Sequence, residues 1–397
     1  MKFLSNIKRL FSPSNNYSMR ILIENSGFTN RGDQLMIKAV MEQLSQRMPN
    51  AQLLVKKDVF LQNPTYCIAH HLYPLTLSKS KIKQSRIYKK IVNTLLGDDW
   101  MVTSGDVDVI LDCRGYHVAD WRINNQEYVE YLKSFYSSFT KKSKKYIMLP
   151  QAFGPFHNTY SQQVAQMLHE QADYIYAREP ESYGYLKTLF PSSKKIGIAP
   201  DFTCLTTPQL GQSILLPKQN FVLIIPNAKM IEKANTTSQY LTFMTEIAKD
   251  LMEKGEKVYL LNHEGSKDED LCRLVNENLG NSLPILTNLS GVDIKAIIKD
   301  CKLLICGRYH GVVSGLTQGV PTLCTAWSHK YVELLKEHDC INNILDVLNI
   351  PDAKQKIQDA LHFPQTYISN PECERKIEEQ VNAMWENIVN ILYPGKL

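Results

Sequence analysis

The sequence predicts an α/β protein built from two Rossmann-like domains, and three observations carry that reading. Short apolar runs alternate with amphipathic helical periodicity along most of the chain, the pattern of parallel strands covered by helices on both faces. At 397 residues the chain exceeds what one core organises, which points to two domains of about 150 to 200 residues each. A stretch rich in Pro, Gln, Thr, Ser and Gly (CLTTPQLGQSILLPKQ, 204–219) splits the alternating pattern in two.

Residues 1–18 stand as an extension before the first strand. Phe3, Leu4, Ile7, Leu10 and Phe11 fall there at helical spacing beside Lys2, Lys8 and Arg9, a short basic amphipathic segment suited to weak peripheral membrane contact or simply a frayed end. The first domain, 19–204, reads as strands over 20–24, 51–55, 108–112, 145–149 and 174–177. Its helices fall over 34–47, 128–139 and 161–171, with another opening at Pro180. The Lys- and Ser-rich region 63–101, with a helix over 82–96, reads as an insertion. Residues 205–219 form the linker. The second domain, 220–366, reads as strands over 221–225, 257–261, 284–286, 302–306 and 321–324, with helices over 240–253, 268–278, 293–299, 309–318 and 331–338. A long amphipathic helix over 373–392, within 367–397, closes the chain and is read as tying the two domains across a cleft.

Composition narrows the function. Hydrophobic residues make up 44% and charged residues 21%, an ordinary globular balance. The formal charge of +5 is spread over the whole length, which suits a small anionic ligand or a weakly acidic surface and no nucleic acid. Nine cysteines without a CxxC pair indicate neither a disulfide framework nor a zinc site and fit a reducing, cytoplasmic setting. No metal triad is evident from spacing.

The most informative stretch is CGRYHGVVSGLTQGVPTLCTAWSHK (306–330). Gly307 permits a sharp turn after an apolar strand, and Arg308 and His310 follow at the start of a helix, where an anion is favoured. The next apolar run releases the chain at Ser328-His329-Lys330. In an open parallel sheet both exits face one crevice. Arg308 offers a planar fork for a phosphate or carboxylate, and His310 a general acid. Arg178 follows the 174–177 strand and supplies either a second cation or a structural ion pair. Asp33, in the turn entering the first helix, is a candidate helix N-cap. Asp201 is a base or a domain-contact residue, and His263 stands at the exit of the 257–261 strand. Tyr116, Trp121, Tyr309 and Trp327 near strand exits are placed to stack on a sugar or to form core and rim.

In these residues the chain resembles the polysaccharide pyruvyl transferase family. The Arg308-x-His310-Gly311 helix start, the Gly319-Val320-Pro321 strand and the downstream Lys330 match its C-terminal signature. Asn30-Arg31-Gly32-Asp33 matches its Asn-x-Gly-Asp turn, 108–115 its strand and glycine turn, and Gln151-Ala152-Phe153-Gly154-Pro155 its Gln-x-x-Gly-Pro loop. Arg178 with Ser182 and Pro200-Asp201 match two further steps. One departure is Arg114-Gly115, where the family usually has two glycines. The resemblance implies a glycosyltransferase type B-like architecture and transfer of the pyruvyl group of phosphoenolpyruvate onto two hydroxyls of a sugar. The acceptor would belong to a surface polysaccharide or its lipid-linked precursor, with no cofactor beyond the donor. It further implies a donor site of Arg178, Arg308, His329 and Lys330, catalysis by His310 with Arg308, and cleft or acceptor positions at Asn30, Gly32, Asp33, Gly115, Gly154, Asp201 and His263. Two rival readings stand beside it: a glycosyltransferase using a nucleotide sugar, and a non-catalytic glycan- or phosphate-binding partner. The first usually places a carboxylate on the ribose from its second domain, whereas the exits read here present Arg308, His310, His329 and Lys330.

Overall fold

The computed structural model describes residues 18–76, 102–137, 144–211, 220–234 and 237–394. The expected extension 1–18, all but its last residue, and the expected helix over 82–96 lie outside them. The chain forms two compact units. Unit 1 holds the residues before Thr29, Met36–Pro200 and the residues from Asn382 on; unit 2 holds Thr29–Leu35 and Asp201–Val381.

Unit 1 is a parallel sheet ordered β4-β3-β2-β1-β5-β6-β7-β8. Its strands are β1 (Met19–Glu24), β2 (Ala51–Lys56), β3 (Leu72–Thr76), β4 (Val102–Thr103), β5 (Val109–Asp112), β6 (Lys145–Gln151), β7 (Tyr174–Ala177) and β8 (Ile196–Ile198). The helices are α1 (Arg31–Arg47), α2 (Lys57–Gln62), α3 (Pro64–Ala69), α4 (Gln126–Ser137), α5 (Thr159–Gln171) and α6 (Pro180–Leu189). The central strands are buried on both faces, which is why they read as continuous apolar runs. Val164 and Leu168 of α5 pack with Ile110, Met148 and Ile175 in one core. Asn158 caps α5 by accepting from Ser161 N at 2.8 Å. The 63–101 region read as an insertion contributes β3 at its beginning, paired to β2 with Pro74 opposite Val55. A proline inside a short run masks such a strand.

Unit 2 is a second parallel sheet, ordered β11-β10-β9-β12-β13. It contains β9 (Val222–Ile225), β10 (Val258–Leu261), β11 (Ile285–Leu286), β12 (Leu303–Cys306) and β13 (Thr322–Cys324). Its helices are α7 (Ala228–Ala234), α8 (Thr237–Glu253), α9 (Gly265–Asn278), α10 (Gly291–Asp300), α11 (Tyr309–Leu316), α12 (His329–Glu337) and α13 (Ile350–His362). One face of the sheet is covered by Phe243, Ile247, Leu251 and Ile357, the other by Ile294, Ile298, Val312, Leu316 and Leu334. Helix α14 (Pro371–Leu392) follows, and the division between the units falls within it. Helix α11 lies so close to the sheet that a Cβ at Gly315 would come 2.7 Å from Leu304 Cδ2 and overlap Thr322 Oγ1.

Candidate active site

Strands β10, β9, β12 and β13 of unit 2 end side by side, and the loops beyond them carry His263, Arg308, His310, His329 and Lys330. The chain order reverses between β9 and β12, the switch point at which an open parallel sheet leaves a crevice. Asn227, buried just after β9, spans this point: its Nδ2 donates to Gly307 O at 2.5 Å and its Oδ1 accepts from Lys229 N at 2.9 Å. Tyr331 donates its hydroxyl to the same carbonyl at 2.9 Å.

Arg308 is the N-cap of α11. Its Nε donates to Asp268 Oδ2 at 2.7 Å, its Nη2 to Asp268 Oδ1 and its Nη1 to Glu264 Oε2. Asp268, fully buried on α9, is anchored further by Ala228 N at 3.0 Å. Desolvation works against the Arg308 charge, but Asp268 and Glu264 outweigh it and hold the guanidinium pKa above its usual value. The expectation that these exits present cations without carboxylates is therefore corrected. The β10 exit brings Glu264 and Asp268 onto Arg308 from 44 and 40 residues upstream, a pairing that no local spacing reveals.

Glu264 also accepts from Asn30 Nδ2 at 2.8 Å. Asn30 in turn caps α1, its Oδ1 accepting from Gly32 N at 2.7 Å and Asp33 N at 3.3 Å. Asn30, and not Asp33, is thus the capping residue; Asp33 is the third residue of the helix. Burial and, after it, the neighbouring Glu264 raise the Asp33 carboxyl to about 7.

Gly32 lies against the imidazole of His310. A Cβ there would be 2.7 Å from Cε1 and closer still to Nδ1. The other ring nitrogen, Nε2, lies 3.7 Å from Asp201 Oδ2, within ion-pair range. Asp201 is fixed by its own Oδ1, which accepts from Thr203 N at 2.9 Å and Thr203 Oγ1 at 2.6 Å. The start of α1 is clasped by α10 as well: Gly291 N donates to Gln34 Oε1 at 2.8 Å, and a Cβ at Gly291 would overlap Arg31 O. These contacts explain why Thr29–Leu35 belongs with unit 2.

His263 follows β10 and is 3% exposed. Burial, then the charges of Arg308, His310 and Arg31, push its pKa well below that of an ordinary histidine, so it stands neutral. Its Nδ1 has no hydrogen-bond partner among the described residues. His329 and Lys330 open α12 beyond β13. The Lys330 ammonium sits 4.9 Å from the Trp327 ring centroid, 5.2 Å from Tyr309 and 5.4 Å from Tyr331. Tyr309 and Trp327 thus form part of a cage around a cation.

Asn30, Gly32, Asp33, Asp201, His263, Arg308 and His310 gather in unit 2, with His329 and Lys330 at the adjoining exit of the same sheet. Arg178, Gly115 and Gly154 lie in unit 1. Arg178 is buried, with Nε 3.6 Å from Glu179 Oε2. Gly154 has φ +71°, and a Cβ there would meet the Tyr185 ring at 2.6 Å. A Cβ at Gly115 would meet nothing within 4 Å, so packing does not require that glycine. Arg114 is buried and pairs with Asp112 Oδ2 at 3.2 Å. Sequence reasoning missed Asn227, Glu264 and Asp268; the signal available was their position just past apolar strands. Among the described residues no cluster of three His, Cys, Asp or Glu side chains is arranged to hold a metal ion, and no helix is long and apolar enough to cross a membrane.

The fold is that of the glycosyltransferase type B-like proteins. UDP-GlcNAc 2-epimerase from Neisseria meningitidis, solved with UDP-GlcNAc, matches with a TM-score of 0.57 at 10% identity over 94% of this chain and 100% of its own. Anabaena HepE, solved with UDP and glucose, matches at 0.56 and 12% over 94% and 99%. The 2-epimerase of Methanocaldococcus jannaschii matches at 0.52 and 10% over 92% and 99%. Within that class, the polysaccharide pyruvyl transferase family model matches residues 30–329, and the chain belongs to this family. No curated protein matches it in sequence.

Proposed function

We propose that the protein transfers the pyruvyl group of phosphoenolpyruvate onto two hydroxyls of one sugar in a polysaccharide or its lipid-linked precursor, forming a cyclic ketal and releasing phosphate. The observation that carries this reading is the meeting of the two family motifs, Gly32 of the Asn-x-Gly-Asp turn with His310 of the Arg-x-His helix start.

The reaction demands a proton at carbon 3 of the donor, which makes carbon 2 an oxocarbenium-like centre. One sugar hydroxyl adds to that centre and loses its proton. The carbon–oxygen bond to phosphate then breaks, and the second hydroxyl closes the ketal and loses its own proton. One hydroxyl proton balances the new methyl group and the other leaves with phosphate. His310, backed by Asp201 as an imidazole is backed in many acid–base pairs, suits delivery of the first proton. Asp33, titrating near neutrality, suits removal of a hydroxyl proton. Arg308, with Lys330 at the adjoining exit, supplies positive charge for the donor's carboxylate and phosphate, and His329 beside it offers a ring N–H. Phosphoenolpyruvate is itself the activated group, so this reaction calls for no separate cofactor, and a donor of central metabolism places the work in the cytoplasm.

The test is to incubate purified protein with phosphoenolpyruvate and a panel of glycosides, following phosphate release and the ketal methyl resonance by NMR. Both signals appearing together with one glycoside support the reading. Saturable binding and turnover of a nucleotide sugar, without response to phosphoenolpyruvate, would overturn it.

A further inference from the structure

Arg308 has two partners of different kinds. Asp268 is fully buried, takes the Nε and Nη2 edge of the guanidinium, and is itself fixed to the backbone at Ala228. It is a permanent counter-ion. Glu264 takes Nη1, but its side chain is 34% exposed. It is the N-cap residue of α9 yet makes no side-chain capping bond, and the next residue, Gly265, has φ +64°, a left-handed conformation open to glycine. Its remaining hydrogen bond goes to Asn30 Nδ2, whose own Oδ1 keeps capping α1 without it.

We infer that Glu264 is a stand-in for the substrate's anion: its carboxylate occupies the accessible N–H edge of Arg308, and a donor phosphate or carboxylate must displace it to bind. This inference rests on the proposed donor site. It makes Glu264 a specificity-determining residue, because an anion must compete with a tethered carboxylate at high effective concentration. A dense anion that can accept from more than one N–H of the fork displaces it, and a weak or singly bonded anion does not. Asp268 holds the fork in place throughout.

Calorimetric titration of the full chain with phosphoenolpyruvate, and separately with inorganic phosphate, tests this in wild type, Glu264→Gln and Glu264→Ala, with melting curves to verify folding. Removing the competing charge should tighten phosphoenolpyruvate binding by roughly tenfold in both variants, the size expected when one charge-assisted contact is no longer displaced. In turnover assays KM should fall by a similar factor. Wild-type binding with equal or weaker binding in both folded variants would overturn the inference and make Glu264 a positioning residue for Arg308, while leaving the donor assignment standing. Failure of wild type and both variants to bind either anion would count against the donor assignment itself, and the inference would fall with it.

Discussion

Gly32 has no side chain because the imidazole of His310 fills the space one would need. Gly32→Ala should therefore push His310 away from Asp201 and destabilise unit 2 by about 1–3 kcal/mol, the usual cost of overpacking; urea unfolding reads the stability loss, and turnover should fall with it. His310→Ala should lower turnover by roughly 100- to 10,000-fold with little loss of folding. Asp201→Asn should cost less but shift the pH–rate profile, since the charge facing Nε2 is removed while the Thr203 contacts survive in part. Asp33 adds a pH dependence of its own. Its pKa is raised from the usual carboxylate range to about 7, so between about pH 4 and 7 the folded chain binds more protons than the unfolded one. The stability it contributes is full below about pH 4 and lost as pH rises through 7. Asp33→Asn should gain on wild type by on the order of 1–3 kcal/mol at pH 8, with the gap closing near pH 4 in thermal melts.

At the scale of elements, α11 is held to its sheet by residues that lack bulk. Gly315→Ala would set a methyl against Leu304 Cδ2 and Thr322 Oγ1 and should cost about 1–3 kcal/mol, measurable by denaturant titration. Most of the architecture was legible in the sequence because parallel strands buried on both faces read as unbroken apolar runs: the bounds of β1, β5, β7 and β12 agree with the expectation to within a residue or so. What escaped has particular causes. Pro74 hid β3. Helix α13 passed unread although Asn349 caps it and Pro351 opens it. The Arg308–His310 pairing with the strand exit was visible, as was the Asn30–Asp33 turn. The carboxylates on Arg308 were not, since Asp268 and Glu264 reach it only through the order of strands β10, β9 and β12. The role of Asn30 as cap was likewise hidden behind the equally suitable Asp33, and only the backbone bonds of Gly32 and Asp33 distinguish them.

At the scale of the whole molecule, each unit has its own sheet and core, so two unfolding transitions are expected wherever the two differ in stability. The residues around His310 and Arg308 all lie in unit 2. Phosphoenolpyruvate at 100 times its dissociation constant should raise the transition of unit 2 by about 2.7 kcal/mol and leave that of unit 1 much less affected, a shift that calorimetry separates. Membership of Thr29–Leu35 in unit 2 has a consequence for biosynthesis. During translation these seven residues leave the ribosome well before the chain that holds them, from Asp201 through Gly291 to His310. The strands of unit 1 can pair before then, but the glycine that cradles the histidine must wait, unsatisfied, for most of the chain to be made. Assembly of this part of the candidate site thus waits on the synthesis of His310, and a nascent or truncated product ending before it holds the Asn30–Asp33 turn without the histidine that packs on Gly32.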